Sequence, residues 1–202
     1  FYSIKQVKSI HLRSKVDYIH LSPFEKTIYL DTDIIVVKNI DELFILLERY
    51  DFIATLDTAR KRKNIAELIE EYDKIPYVYG ELNGGLLGFN QYAKQNIINK
   101  WSNIFYKYMH LTNGWDQPSL RILLWKYKAS LFILPPEYNV RSKDLLKKIE
   151  TSKDKLGHDH MEPRVYHMHI FKEIHEKDKN YDFIPKDEII RIAKENAYKI
   201  NY

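Results

Sequence analysis

The chain has 202 residues, 45% of them hydrophobic and 30% charged, and reads as one soluble globular domain over residues 1–202 with a real core. Cysteine is absent, which excludes disulfides and thiolate metal sites. The net charge of +4, with an isoelectric point near 8.9, suits a phosphate-bearing ligand and is too mild to argue for nucleic acid.

"SIKQVKSIHL" places Ile4 and Val7 at helical spacing, and "DYIHL" offers at most one short strand. No apolar run is long enough to span a bilayer, and the first residues lack the apolar core of a signal peptide, so a cytoplasmic location is expected. "LSPFEK" carries a helix-start pattern: Ser22, Pro23 at the first helical position, and Glu25 three after Ser22. "TIYLDTDIIVV", from Thr27 to Val37, is nearly continuous and β-branched, as a central strand buried on both faces would be. Asp31 and Asp33 interrupt it, so the strand is expected to break or turn there. Asn39 and Glu42 repeat the capping spacing before a short helix, "LFILLERY". "DFIATL" reads as a strand, "NIAELIEEY" as a helix and "GGLLGF" as a short strand. "QYAKQNIINKWSNIFYKY" aligns Ala93, Ile97, Trp101, Ile104 and Tyr108 on one helical face. Pro118 opens a helix with Leu120, Leu123, Leu124 and Tyr127 inward. "ASLFIL" is a strand stopped by Pro135 and Pro136, "RVYHMHI" a late strand, and "PKDEIIRIAKENAYKI" a terminal helix. Strands alternating with helices argue for an α/β layered domain with a mostly parallel central sheet.

The two aspartates carry the chemistry. In extended chain, residues two apart point to one face. Two unpaired carboxylates there repel and lose hydration at a cost of several kcal/mol. A hard divalent cation removes that conflict, since Mn²⁺ and Mg²⁺ take carboxylate and phosphate oxygens together. The plain alternative is a pair of aspartates capping a turn. Elsewhere the residues leave similar choices. Asn83, Gly84 and Gly85 fit a ligand loop or an ordinary turn. Asp116 fits a ligand site or simple helix capping. His167 on its own reads best as a core histidine. The basic run from Arg60 to Lys63 reads as a solvated loop rather than a phosphate cover. Trp115, Tyr138 and Trp125 are candidates to stack on a sugar ring, with core packing favoured for Trp125.

"TIYLDTDIIVV" followed by "IDELF" resembles the D-x-D segment of nucleotide-sugar glycosyltransferases of the GT-A fold, in the group of glycogenin and bacterial lipopolysaccharide galactosyltransferases. "ELNGGLLGFN", "GWDQPSLR", "LPPEYNVR" and "RVYHMH" resemble further segments of that group, in the same order. The resemblance implies a sugar transferred from a nucleotide-diphosphate donor, uridine-linked, with retention at the anomeric carbon. It implies that Asp31, Asp33 and His167 bind Mn²⁺ or Mg²⁺, with His169 as the rival ligand on the same strand. It places Asp31, Asn83, Gly84 and Gly85 at the donor. It gives Asp116 and Gln117 to the donor sugar and its reacting carbon. The group's usual H-x-x-G-x-x-K-P-W is not present: Ile170 stands where the glycine is expected, and Lys172 is the nearest candidate for a phosphate contact. The acceptor stays open among a glycan, a lipid-linked group and a protein. No nucleic-acid partner and no transmembrane segment are expected.

Two readings from other classes compete. A haloacid-dehalogenase-type phosphohydrolase also uses D-x-D after an apolar strand, but Ile34 and Ile35 follow here. A non-catalytic glycan or nucleic-acid binding module is the other. The transferase reading also expects a missing N-terminal strand-helix unit, because only 30 residues precede Asp31 and one βαβ unit takes about 30 or more. The strand bearing the aspartates would then sit near a sheet edge.

Overall fold

The computed structural model describes residues 13, 15–142, 144–145, 148–149 and 161–167. The expected N-terminal "SIKQV" helix, the C-terminal helix, His169 and Lys172 lie outside the described residues. The chain divides into two compact units: Phe1–Tyr29 with Leu43–Ile133, and Leu30–Glu42 with Leu134–Tyr202.

The first unit is built on a four-stranded sheet in the order β1-β4-β3-β5. The strands are β1 (Lys26–Leu30), β3 (Phe52–Leu56), β4 (Leu82–Asn90) and β5 (Leu131–Leu134). Eight residues of β4 in a row are buried, as a strand with neighbours on both sides requires. β1 is only half-buried and stands at the edge of this sheet among the described residues, unlike the central, two-sided strand expected from its composition. β3 and β4 run antiparallel, with Phe52 opposite Phe89 and Ile53 opposite Gly88, which departs from the parallel pairing expected. A Cβ on Gly88 would lie 2.4 Å from Ile53 Cγ1 and 2.9 Å from Ile28 Cδ1, so glycine here lets two isoleucines close over the middle strand.

Helices cover this sheet. Those of the unit are α1 (Lys15–Tyr18), α3 (Lys63–Ala66), α4 (Glu70–Asp73), α5 (Gln91–Asn96), α6 (Trp101–Tyr108) and α7 (Gln117–Lys126). The segment "DYIHL" is helical rather than extended: α1 runs on into a short 3-10 turn that buries Val16 and Ile19. Ser22, Pro23 and Glu25 start no helix. Ser22 Oγ instead bonds Thr27 Oγ1 at 2.7 Å, at the entrance to β1. The one long helix expected over 91–108 is broken at Ile97, which has φ −123°. Ile97 and Ile98 are both buried, and neighbours in a straight helix point about 100° apart, so the break serves both. Asn90 caps α5 by accepting the Ala93 N–H at 2.9 Å. Likewise α3 and α4 replace one helix, with extended Ile69 between them sending Ile65, Ile69 and Tyr72 inward. Trp101, Phe105, Leu120, Leu123 and Leu124 fill the core. Trp125 is half-exposed and meets Tyr79 edge-on, so it is not a core residue.

The second unit pairs β2 (Ile34–Val36) antiparallel with β6 (Val165–His167), with Ile34 opposite His167. Val140 bridges Tyr166 on the other side of β6, and Val140 N–H donates to Val165 O at 2.9 Å. Pro135 and Pro136 end β5 as expected and open a 3-10 turn over Pro136–Tyr138. The Tyr138 hydroxyl, buried here, donates to the Glu42 carboxylate. The helix expected after Asn39 is α2 (Glu42–Leu46), but Asn39 closes a local turn with Asp41 N–H rather than capping it. No helix among the described residues is long and apolar enough to cross a membrane.

Candidate functional site

The apolar run does break at the aspartates. Asp31 to Asp33 form a turn between β1 and β2, closed by the Ile34 N–H on Asp31 O at 3.1 Å. The antiparallel register then sets His167 opposite Ile34, the residue after Asp33. One ligand atom from each of Asp31, Asp33 and His167 lies within 4.8 Å of the others. His167 Nε2 is 3.3 Å from Asp33 Oδ1. The other ring nitrogen, Nδ1, is 3.1 Å from Asn139 Oδ1, and both residues are buried. Where Asn139 Oδ1 accepts from Nδ1, Nε2 keeps the lone pair that a metal ligand needs. Two carboxylates and one imidazole form a donor set that fits a divalent cation. His167 is buried, and its ring nitrogens meet the side chains of Asn139 and Asp33. The sequence by itself gives Asn139 no role; only the pairing beside β6 reveals it.

His167→Ala is expected to weaken Mn²⁺ binding more than Asn139→Ala does, and the loss for Asn139→Ala is about 10-fold or more, as for other outer partners of metal-bound histidines. Calorimetric titration with Mn²⁺ reads both. Unchanged affinity in Asn139→Ala sinks the tautomer argument.

Asn83, Gly84, Gly85, Asp116 and Gln117 belong to the first unit. Asn83, Gly84 and Gly85 lie within β4 rather than in a loop before it. Asn83 Oδ1 accepts the Gly85 N–H at 3.0 Å. Gly84 O accepts Lys15 Nζ at 2.9 Å, and a Cβ on Gly84 would lie 2.8 Å from that ammonium. Lys15 Nζ also lies 3.0 Å from Asp116 Oδ2, both side chains being almost fully buried. This is a charge contact without hydrogen-bond alignment, since Asp116 Oδ2 makes no hydrogen bond. Asp116 stands at the start of α7 but its side chain caps nothing, so simple capping does not explain it. Gln117 Nε2 donates to Asp57 Oδ2 at 2.6 Å, and Gln117 Oε1 accepts from Arg62 Nη2 at 3.3 Å.

Lys15, Asp57 and Glu81 escaped the sequence reading. Asp57 directly follows β3 and is buried, a signal visible only once the strand end is fixed. Arg62 corrects the expectation of a solvated basic loop: its Nε donates to Glu81 Oε2 at 2.7 Å and its guanidinium lies 4.4 Å from the Trp115 ring centroid. Neighbouring Lys63 is exposed, as expected of the run. Burial pushes the Glu81 carboxyl above its usual range, opposed by the Tyr72 hydroxyl and Arg62. Its folded state therefore holds a proton more readily than its unfolded state does. Glu81 then contributes stability that is full below the ordinary carboxylate range and falls as pH rises through the elevated value. Glu81→Gln is expected to remove that slope in urea unfolding across acidic pH. A variant with the parent's pH dependence contradicts it.

Residues 6–171 match the model of glycosyl transferase family 8. The chain belongs to that family. No curated protein matches the sequence. Among solved structures, 41 chains match. The galactosyltransferase LgtC, solved with donor and acceptor sugar analogues, aligns at 16% identity and TM-score 0.54 over 90% of this chain and 64% of its own. An active-site mutant of LgtC aligns at 14% identity and TM-score 0.58, over 91% and 66%. Mouse xyloside xylosyltransferase 1 aligns at 15% identity and TM-score 0.50, over 76% and 61%. The chain thus spans about two thirds of the length of these structures and shares their GT-A fold. The family match displaces the haloacid-dehalogenase alternative.

Proposed function

We propose that this family 8 protein transfers a sugar from a nucleotide-diphosphate donor, uridine-linked, to an acceptor hydroxyl, with a divalent metal and with retention. The observation that carries this reading is the Asp31–Asp33–His167 cluster, with His167 Nδ1 against Asn139 Oδ1. Those three residues would hold Mn²⁺, and the ion would offset negative charge growing on the leaving diphosphate. Asp31 and Lys172 serve the donor diphosphate. Asn83, Gly84, Gly85 and Asp116 serve the donor sugar, and Gln117 faces its reacting carbon. The bond from anomeric carbon to diphosphate breaks as the acceptor oxygen bonds to the same face. The hydroxyl proton leaves with a diphosphate oxygen. Gln117 is no nucleophile: its amide nitrogen is unreactive, and both ends of the amide are held by Asp57 and Arg62.

Calorimetry with a panel of nucleotide sugars, with and without Mn²⁺, tests the reading. Binding and slow donor hydrolysis only in the presence of metal are expected. Binding that ignores chelator and falls steeply with salt instead assigns a charged binding module. Within this reading, Gln117→Ala should lower turnover about 100-fold and leave donor affinity nearly unchanged, because the amide acts where charge develops. Unchanged turnover reduces Gln117 to a helix-start residue.

A further inference from the structure

We propose that Arg62 is a positioning residue that fixes the side-chain amide of Gln117. The proposal rests on the reading of Gln117 as the residue facing the reacting carbon. A glutamine amide has two similar ends, and its partners decide which way it points. Asp57 is acceptor-only when ionised, so the amide nitrogen faces it at 2.6 Å. Arg62 is donor-only, so the amide oxygen faces it at 3.3 Å. Asp57 alone would set which end points inward and leave the oxygen end free to swing. Arg62 closes that freedom.

The guanidinium is itself held from three sides. Nε donates to Glu81 Oε2 at 2.7 Å. The other Glu81 oxygen accepts the Tyr72 hydroxyl at 2.6 Å, and Glu81 is fully buried. The flat face of Arg62 lies over Trp115 at 4.4 Å, and Nη2 is 3.9 Å from Asp57 Oδ1. The result is a directional chain, Tyr72 to Glu81, Arg62 to Glu81 and to Gln117, and Gln117 to Asp57, with a donor meeting an acceptor at every link. Arg suits the task because its planar fork reaches Glu81 and Gln117 at once, which a lysine ammonium does not match.

Two measurements test this. The chain has four glutamines, Gln6, Gln91, Gln95 and Gln117, so protein labelled with ¹⁵N-glutamine gives few side-chain amide signals. The Gln117 pair is the one lost in Gln117→Ala. In the parent it should exchange slowly with solvent, and in Arg62→Ala it should move toward the signals of exposed Gln91 and Gln95 while those stay put. An unmoved Gln117 signal overturns the proposal. In steady-state kinetics, Arg62→Ala should lower kcat about 10- to 100-fold with donor KM within about twofold. In a Gln117→Ala background it should cost nothing more, as expected of residues acting through one another. Arg62→Lys, which keeps the charge, should fold as the parent does and recover only part of kcat. Multiplying effects, or a raised donor KM with kcat kept, make Arg62 an independent group or a donor ligand and overturn the proposal. A parent that turns over no nucleotide sugar refutes the transferase reading, while the amide spectrum still decides whether Arg62 holds Gln117.

Discussion

Asp33→Ala is expected to abolish metal-dependent donor binding and lower transfer about 1,000-fold or more, beyond the loss of an outer metal partner. The fold should stand. Asp33 is 42% exposed at the side chain and sits on a turn, so its removal opens no cavity. Without metal, the change removes one of two carboxylates whose atoms lie within 4.8 Å of each other. Relief of that repulsion should leave stability in chelator equal to or slightly above that of the parent. The parent's Tm should rise with Mn²⁺ in proportion to the logarithm of its concentration, since a ligand that binds only the folded state stabilises it. The variant's Tm should not move. A variant whose Tm still rises with Mn²⁺ as the parent's does removes Asp33 from the metal site.

Arg121→Met should lower unfolding free energy by about 3–5 kcal/mol, the range for breaking a buried charged network. Arg121 is fully buried on α7. Its Nε donates to Tyr79 O at 2.7 Å, its Nη1 to Tyr72 O at 3.3 Å, and its Nη2 to Ile75 O at 3.3 Å and Pro76 O at 3.1 Å. The guanidinium also stacks 4.5 Å over the Tyr72 ring. These carbonyls belong to the end of α4 and the loop after it; Tyr72 O also accepts the Ile75 N–H and Pro76 O the Tyr79 N–H, so the loss falls mainly on the Tyr79 and Ile75 carbonyls. Methionine matches the volume but donates to none of them, and buried orphan acceptors are costly. Burial lowers the Arg121 pKa, yet the residue stays charged at neutral pH. Arg121→Lys keeps a charge and fewer donors, so its loss should be intermediate. Urea unfolding of both variants reads the order. A loss below about 1 kcal/mol in Arg121→Met, typical of a surface position, contradicts the argument.

The two aspartates of the candidate cation site were legible because their pattern conflicts with its surroundings. An apolar β-branched run does not carry two carboxylates without a partner for them, and that conflict points to an ion before any coordinates exist. The D-Q segment was legible for a related reason: Pro118 marks a helix start, and Asp116 and Gln117 stand directly before it. The helix breaks at Ile97 and Ile69 were not legible. Local periodicity favours continuing each helix, and the burial that overrides it comes from elements distant in sequence.

By itself, then, the sequence determined the alternation of strands and helices, the turn at Asp31–Asp33, the helix at Pro118 and the residue types able to bind a divalent cation. Those are local properties, set by side-chain alternation, branching, proline geometry and the cost of neighbouring like charges. Tertiary structure decided what needs partners far apart in the chain. The register of β2 on β6 brought His167 to Asp33, across 134 residues. The close passage of Lys15 over Gly84 placed a buried cation against Asp116. The turn of the basic segment toward Glu81 took Arg62 from a solvated run and tied it to Gln117. A charge reads as surface until something distant compensates it, and burial of Lys15, Arg62 or Arg121 is tolerable only where folding brings the matching acceptors to it.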